Sequence, residues 1–143
     1  MNDILHPTVR SFNGLGSFSR DVRAYCLLEA ALDAVDRFAS ARQVAGYLGL
    51  APTERSSGEL QRRGRISKTG NPRVRVLLVE AGWRLLRSRQ PLAAPLRAWA
   101  ERIAVRRGRA IAAVALARRL ARILYAVWRD GGAYQPARLT HAA

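Results

Sequence analysis

The stretch NPRVRVLLVEAGWRLLRSR, Asn71 to Arg89, decides the fold class. Asn71 sits where a helix begins, and its side-chain oxygen can accept from amides that lack an intrahelical partner. Pro72 takes the first turn, a position at which a missing N–H costs nothing. The apolar residues that follow recur at helical spacing. The pattern predicts one helix from Pro72 to about Arg89, burying Val76, Leu77, Val79, Trp83 and Leu86.

Working outward, the same periodicity recurs on both sides. Val22, Tyr25, Leu28, Leu32, Val35 and Phe38 stand three or four residues apart, which predicts a helix over Asp21 to Phe38. Ser40 and Gln43 have capping-box spacing ahead of Val44, Tyr47 and Leu48, and Gly49 and Pro52 stop the short helix they begin. Downstream, Pro91 and Pro95 precede a helix through Leu96, Trp99, Ala100 and Ile103, which Gly108 ends. A last helix from Arg109 to Arg129 offers Ile111, Val114, Leu120, Ile123, Leu124 and Val127 to the core, and Asp130, Gly131 and Gly132 terminate it. Residues 51–70 are too polar and too rich in Gly and Ser for an apolar element. They are expected to form a long basic loop, within which a short hairpin between Glu59 and Ile66 has room to form. The expectation is an all-α, compact domain of about five helices over residues 21–136, with an irregular lead-in at 1–20 and a flexible tail at 137–143.

Composition restricts the partners. The 143 residues suit one domain, and 25 Lys plus Arg against 10 Asp plus Glu leave +15 at pH 7. Such a field attracts polyanions, either nucleic acid or an anionic membrane surface. Lys68 is the only lysine, so nearly all the charge sits on guanidinium groups, which bind phosphate through two parallel hydrogen bonds. A single cysteine, Cys26, makes neither an intramolecular disulfide nor a zinc site and fits a reducing cytosol. The opening MNDILHPTVR lacks the apolar core of a cleavable signal. In the most apolar stretch, Ala110 to Trp128, Arg118, Arg119 and Arg122 lie near the middle, where each would cost about 2.5–3.5 kcal/mol in a bilayer. That segment reads as a soluble helix.

The charge is concentrated. Arg55, Arg62, Arg63, Arg65, Lys68, Arg73 and Arg75 fall within the expected loop and the helix start that follows, with Glu59 the only acid among them and Ser56, Ser57 and Gly58 in their midst. Basic side chains and helix-terminal amides can converge on one phosphodiester. The bland alternative is a solvated basic face and two turn-forming serines. A serine attacking phosphorus must lose its proton and needs positive charge at the equatorial oxygens. The arginines meet the second need, and no nearby residue meets the first. Glu29, Asp33 and Asp36 would share one face of the first helix, but Arg37 is close by and a solvated face is the better reading, so no metal site is assigned. His6 and His141 stand near opposite termini and suggest no site. Gly14, Leu15 and Gly16 form only a weak backbone-gripping signature, and Trp83, Trp99 and Trp128 fit helix faces as core residues.

From Ser40 to Leu86 the string SARQVAGYLGLAPTERSSGELQRRGRISKTGNPRVRVLLVEAGWRLL resembles the C-terminal transposase domain of the insertion-sequence family one hundred and ten. The ending ALARRLARILYAVWRDGGAYQP is similar to that family's as well. The most specific features are the GRISKTGN block and the SSG upstream of it. The resemblance implies DNA transposition by strand exchange through a covalent serine–DNA intermediate, with Ser57 as nucleophile and Ser56 as fallback. Arg55, Gly58, Arg62, Arg63, Arg65, Lys68, Asn71, Arg73 and Arg75 would hold DNA or guide RNA. It further implies a homo-oligomer or a RuvC-like domain acting in trans, no membrane, and a cytoplasmic, nucleoid-associated bacterial protein. In the family Mg²⁺ is held by four acids of an N-terminal RuvC-like domain, so this chain is expected to bind no cofactor itself. Three departures stand out: no RuvC-like domain precedes the resemblance, the spacing from Gly16 to Phe38 is several residues too long, and Glu59 replaces a frequent second glycine. The chain is therefore expected to be either such a domain or a truncated remnant that is inactive alone. The alternative is a non-catalytic basic nucleic-acid-binding helical module.

Overall fold

A computed structural model describes residues 28, 30–57 and 60–131, with side chains for 28, 30–53 and 64–131. Residues 28 and 30–32 are helical, followed by a 3-10 turn over Val35–Arg37. The elements after it are α1 (Ala41–Tyr47), β1 (Pro52–Ser57), β2 (Leu60–Ile66), α2 (Pro72–Arg87), α3 (Ala94–Arg107) and α4 (Arg109–Asp130). The fold is all-α, and its only sheet among the described residues is the two-stranded ribbon β1–β2.

α4 is the spine. From its middle to its C-terminal end it contributes Ala117, Ala121, Leu124 and Tyr125 to a core completed by Leu28, Leu32, Val44, Leu48, Leu50, Val74 and Leu78. Its N-terminal half packs Ala112 and Leu116 against Leu86, Leu96 and Ala100. Alanines on the buried side let α2 come close, and a Cβ on Gly82 would overlap the backbone carbonyl of Ala113.

Several local expectations hold. The Ser40 side chain accepts from Gln43 N–H, and Gln43 reaches back to Ala39 N–H at 2.9 Å. Asn71 caps α2 with Pro72 in the first turn. Gly108 and Gly131 end α3 and α4 at φ 90° and 62°.

Other expectations are corrected. The first helix does not reach Phe38. It stops at Leu32, where Asp33 takes a left-handed φ of 64° and Ala34 is extended. Tyr125 holds the diverted segment, donating its hydroxyl to the carbonyls of Phe38 at 2.7 Å and Val35 at 3.1 Å. Asp33 and Asp36 therefore share no helix face, and Glu29 lies outside the described residues. α2 ends at Arg87, not Arg89, and buries Val74, Leu78, Gly82 and Leu86. Val76 is 55% exposed, because the line facing α4 runs at i+4 from Val74 and places Val76 on the opposite side. Ile111, expected in the core, is 47% exposed for the same reason on α4, where alanines take the contact. Pro95 lies within the first turn of α3 rather than ahead of it. The lead-in, most of the first helix and the tail from Gly132 lie outside the described residues.

Candidate nucleic-acid interface

The expected long loop is in fact a ribbon. β1 and β2 pair antiparallel with Glu54 opposite Arg63, Arg55 opposite Arg62, Ser56 opposite Gln61 and Ser57 opposite Leu60. The two residues between the strands, Gly58 and Glu59, lie outside the described residues. Toward the foot the register shifts between Pro52 and Glu54, and Pro52 pairs with Ile66. Gly64 and Arg65 thus oppose Thr53 alone, a bulge that twists the ribbon. The Thr53 hydroxyl secures it by donating to the Arg65 carbonyl at 2.9 Å. Ile66 packs against the core and roots the ribbon there.

Because side chains alternate along a strand, the register sorts the residues between two faces. Residues 55, 57, 60 and 62 share one face, and 54, 56, 61 and 63 the other. Ser57 therefore shares a face with Arg55 and Arg62, and Ser56 shares one with Glu54, Gln61 and Arg63.

Below the ribbon, residues 67–70 lock backbone-to-backbone against the end of α1. Ser67 N–H donates to Ala51 O at 2.9 Å and Lys68 N–H to Gly49 O at 3.1 Å. Gly49 and Gly70 have φ of 70° and 77°, and a Cβ on either would overlap backbone of the other segment. Lys68 itself is held at φ 58°, a conformation that costs a non-glycine residue roughly 1–3 kcal/mol and persists only where its surroundings impose it.

Arg65, Lys68, Asn71 and Arg73 are all exposed at this foot. Arg75 is not arranged with them. Its Nη1 donates to Thr69 O at 2.9 Å and Leu48 O at 3.3 Å, tying both segments to α2. The first amides of α2 are also engaged, since Asn71 Oδ1 accepts from Arg73 N–H at 3.0 Å and Val74 N–H at 3.5 Å. A phosphate at this foot would meet side chains rather than a free helix terminus.

Residues 11–97 match the model of the Transposase IS116/IS110/IS902 family, more than half of the 143 residues. The chain belongs to this family. It is 36% identical over 100 residues to the "Probable family 20 transposase" of Pseudomonas aeruginosa, covering 70% of this chain and 30% of that protein. It is also 34% identical over 98 residues to the "Transposase for insertion sequence element IS1111A" of Coxiella burnetii, covering 68% of this chain and 27% of that one. The chain thus spans less than a third of the length of these relatives. No solved structure matches it.

For this IS110-type chain, the described motif residues are brought to one ribbon and its foot, with the exception of Arg75, while Gly58 lies outside the described residues. The outer face of α2, where Arg73, Val76, Glu80, Arg84 and Arg87 are exposed, lies outside the sequence-based expectation. Their spacing of three, four and seven residues was the available signal. No helix among the described residues is long and apolar enough to cross a membrane.

Proposed function

We propose that the ribbon and its foot form the strand-exchange site of a DNA transposase, with Ser57 as nucleophile. The observation that supports this most directly is the register. Ser57 occupies the last pair of the ribbon and shares its face with two arginines and no acid, whereas the Ser56 face includes Glu54. A carboxylate beside the attacking oxygen would repel a phosphodiester.

The chemistry is a transesterification. The Ser57 hydroxyl gives its proton to a base as Oγ attacks phosphorus, the bond from phosphorus to the departing sugar oxygen breaks, and that oxygen takes up a proton. The number of phosphoester bonds is unchanged, so a hydroxyl of a second strand can attack the phosphoserine and restore Ser57 without an external energy source. Arg55 and Arg62 would stabilise charge on the equatorial oxygens, while Arg63, Arg65, Lys68 and Arg73 hold the flanking backbone of DNA or of a guide RNA. In the family reading Mg²⁺ aids activation of the serine. Among the described residues no three His, Cys, Asp or Glu side chains gather to hold an ion, so no metal step is assigned to them. The acids would come from a RuvC-like domain, in trans or in a homo-oligomer.

The test combines this chain with a RuvC-like domain, Mg²⁺ and donor DNA, and maps the covalent link by peptide mass spectrometry. Nucleotide on Ser57 is the expected result. A link on Ser56 would move the nucleophile, and tight DNA binding with no link would favour the non-catalytic module.

A further inference from the structure

α2 carries a second feature on its exposed side, separate from the ribbon. Glu80, Trp83, Arg84 and Arg87, all on α2, line a shallow cavity of about 360 Å³ that is largely open to solvent. Trp83 is only half-buried: one part of the indole packs on the cluster around Leu86 and Leu96, and the rest faces the cavity. Arg87 lies over the ring, its guanidinium carbon 5.5 Å from the centroid.

We infer that this cavity binds one unpaired nucleotide of a nucleic-acid strand, its base stacked on Trp83 and its phosphate held by Arg87. An indole with guanidinium groups close by is the combination that sequence-tolerant single-strand binders use. Glu80 at the rim separates this reading from a bare phosphate site. A carboxylate repels phosphate but accepts a hydrogen bond from the exocyclic amine of a base. Arg87 swings off the indole as the base arrives, carrying its charge to the phosphate of that nucleotide. The position also fits a strand leaving the ribbon foot, because Arg73, Glu80, Arg84 and Arg87 lie along one stripe of the same helix. From Arg73 to Arg87 is fourteen steps, or roughly 21 Å of helix, a span of several nucleotides. The inference rests on the chain acting on nucleic acid, but not on Ser57 being the nucleophile.

The test has two measurements. Short single strands of DNA and of RNA carrying 5-iodocytosine, a photoreactive base that keeps its exocyclic amine, are photo-crosslinked to the unaltered chain and the adduct is mapped; attachment at Trp83 is expected, and attachment confined to other residues overturns the inference. Affinities for the same strands and for a blunt DNA duplex are then measured for Trp83→Leu and Trp83→Phe. Trp83→Leu should weaken single-strand binding by roughly tenfold and change duplex binding less than about twofold, with Trp83→Phe retaining most single-strand affinity. Equal losses on strand and duplex, or no loss on either, reject the site. DNA and RNA strands distinguish which nucleic acid supplies the nucleotide. A Ser57–DNA link formed without these Trp83 effects would sink this inference alone, and Trp83 effects without the link would sink only the assignment of the nucleophile.

Discussion

A Cβ on Gly70 would overlap the carbonyl oxygen of Tyr47, so the turn after the ribbon and the end of α1 touch backbone to backbone. Gly49 makes the reciprocal approach to Thr69. Between them these glycines fix where the ribbon leaves the helical body.

Gly70→Ala should therefore be costly twice over. The positive φ and the overlap together are expected to remove about 2–5 kcal/mol, read as a lowered urea midpoint. A loss below about 0.5 kcal/mol, the usual scatter of surface substitutions, would mean the two segments separate easily.

Arg75 and its neighbours should behave differently although all are basic. Arg65→Ala, Lys68→Ala and Arg73→Ala should each lower the slope of log affinity against log salt by about 1, as expected for a lost phosphate contact. Arg75→Ala should instead lower stability by about 1–3 kcal/mol through its two carbonyl bonds and leave that slope nearly unchanged. A salt titration of DNA affinity beside a denaturation curve decides the matter.

Tyr125→Phe removes the hydroxyl that spans the carbonyls of Phe38 and Val35. The expected loss is about 1–2 kcal/mol. Hydrogen exchange should quicken at residues 34–39 before it quickens in α4, and uniform acceleration would show that the tyrosine anchors more than this segment.

Ser57→Ala and Ser56→Ala should part company in a strand-transfer assay supplied with a RuvC-like domain and Mg²⁺. The first should abolish transfer with DNA affinity within about twofold, since a neutral hydroxyl contributes little to the phosphate electrostatics that dominate binding. The second should leave transfer measurable. Reversed outcomes would place the attacking oxygen on the other face of the ribbon.

Much of the fold was legible in the sequence alone, and the reason is visible in particular residues. The caps at Ser40, Asn71 and Gly108 act through bonds to residues within a few positions, and Gly131 through its own left-handed backbone, so local sequence contains all the information they need. The buried side of α2 was harder. Val76 and Leu78 are equally apolar in sequence, and what separates them is the close approach of α4 at Gly82 and Ala113. The ribbon was nearly invisible because Arg, Ser, Gly and Glu are poor strand signals. Trp83 does pack on a core cluster, as its helical spacing suggests, but that spacing gives no sign of which side of the indole is left open.

By itself the sequence determined the all-α class, the helix ends marked by Ser40, Asn71, Gly108 and Gly131, the family and the set of basic residues around two serines, because periodicity, capping and motif spacing are short-range properties of the chain. Only the tertiary structure decided which serine shares a face with Arg55 and Arg62, that Arg75 turns inward to carbonyls, and that Trp83 opens onto a cavity. Those outcomes depend on strand register and on how closely α1, α2 and α4 approach one another, and both are set by contacts between residues far apart in the chain.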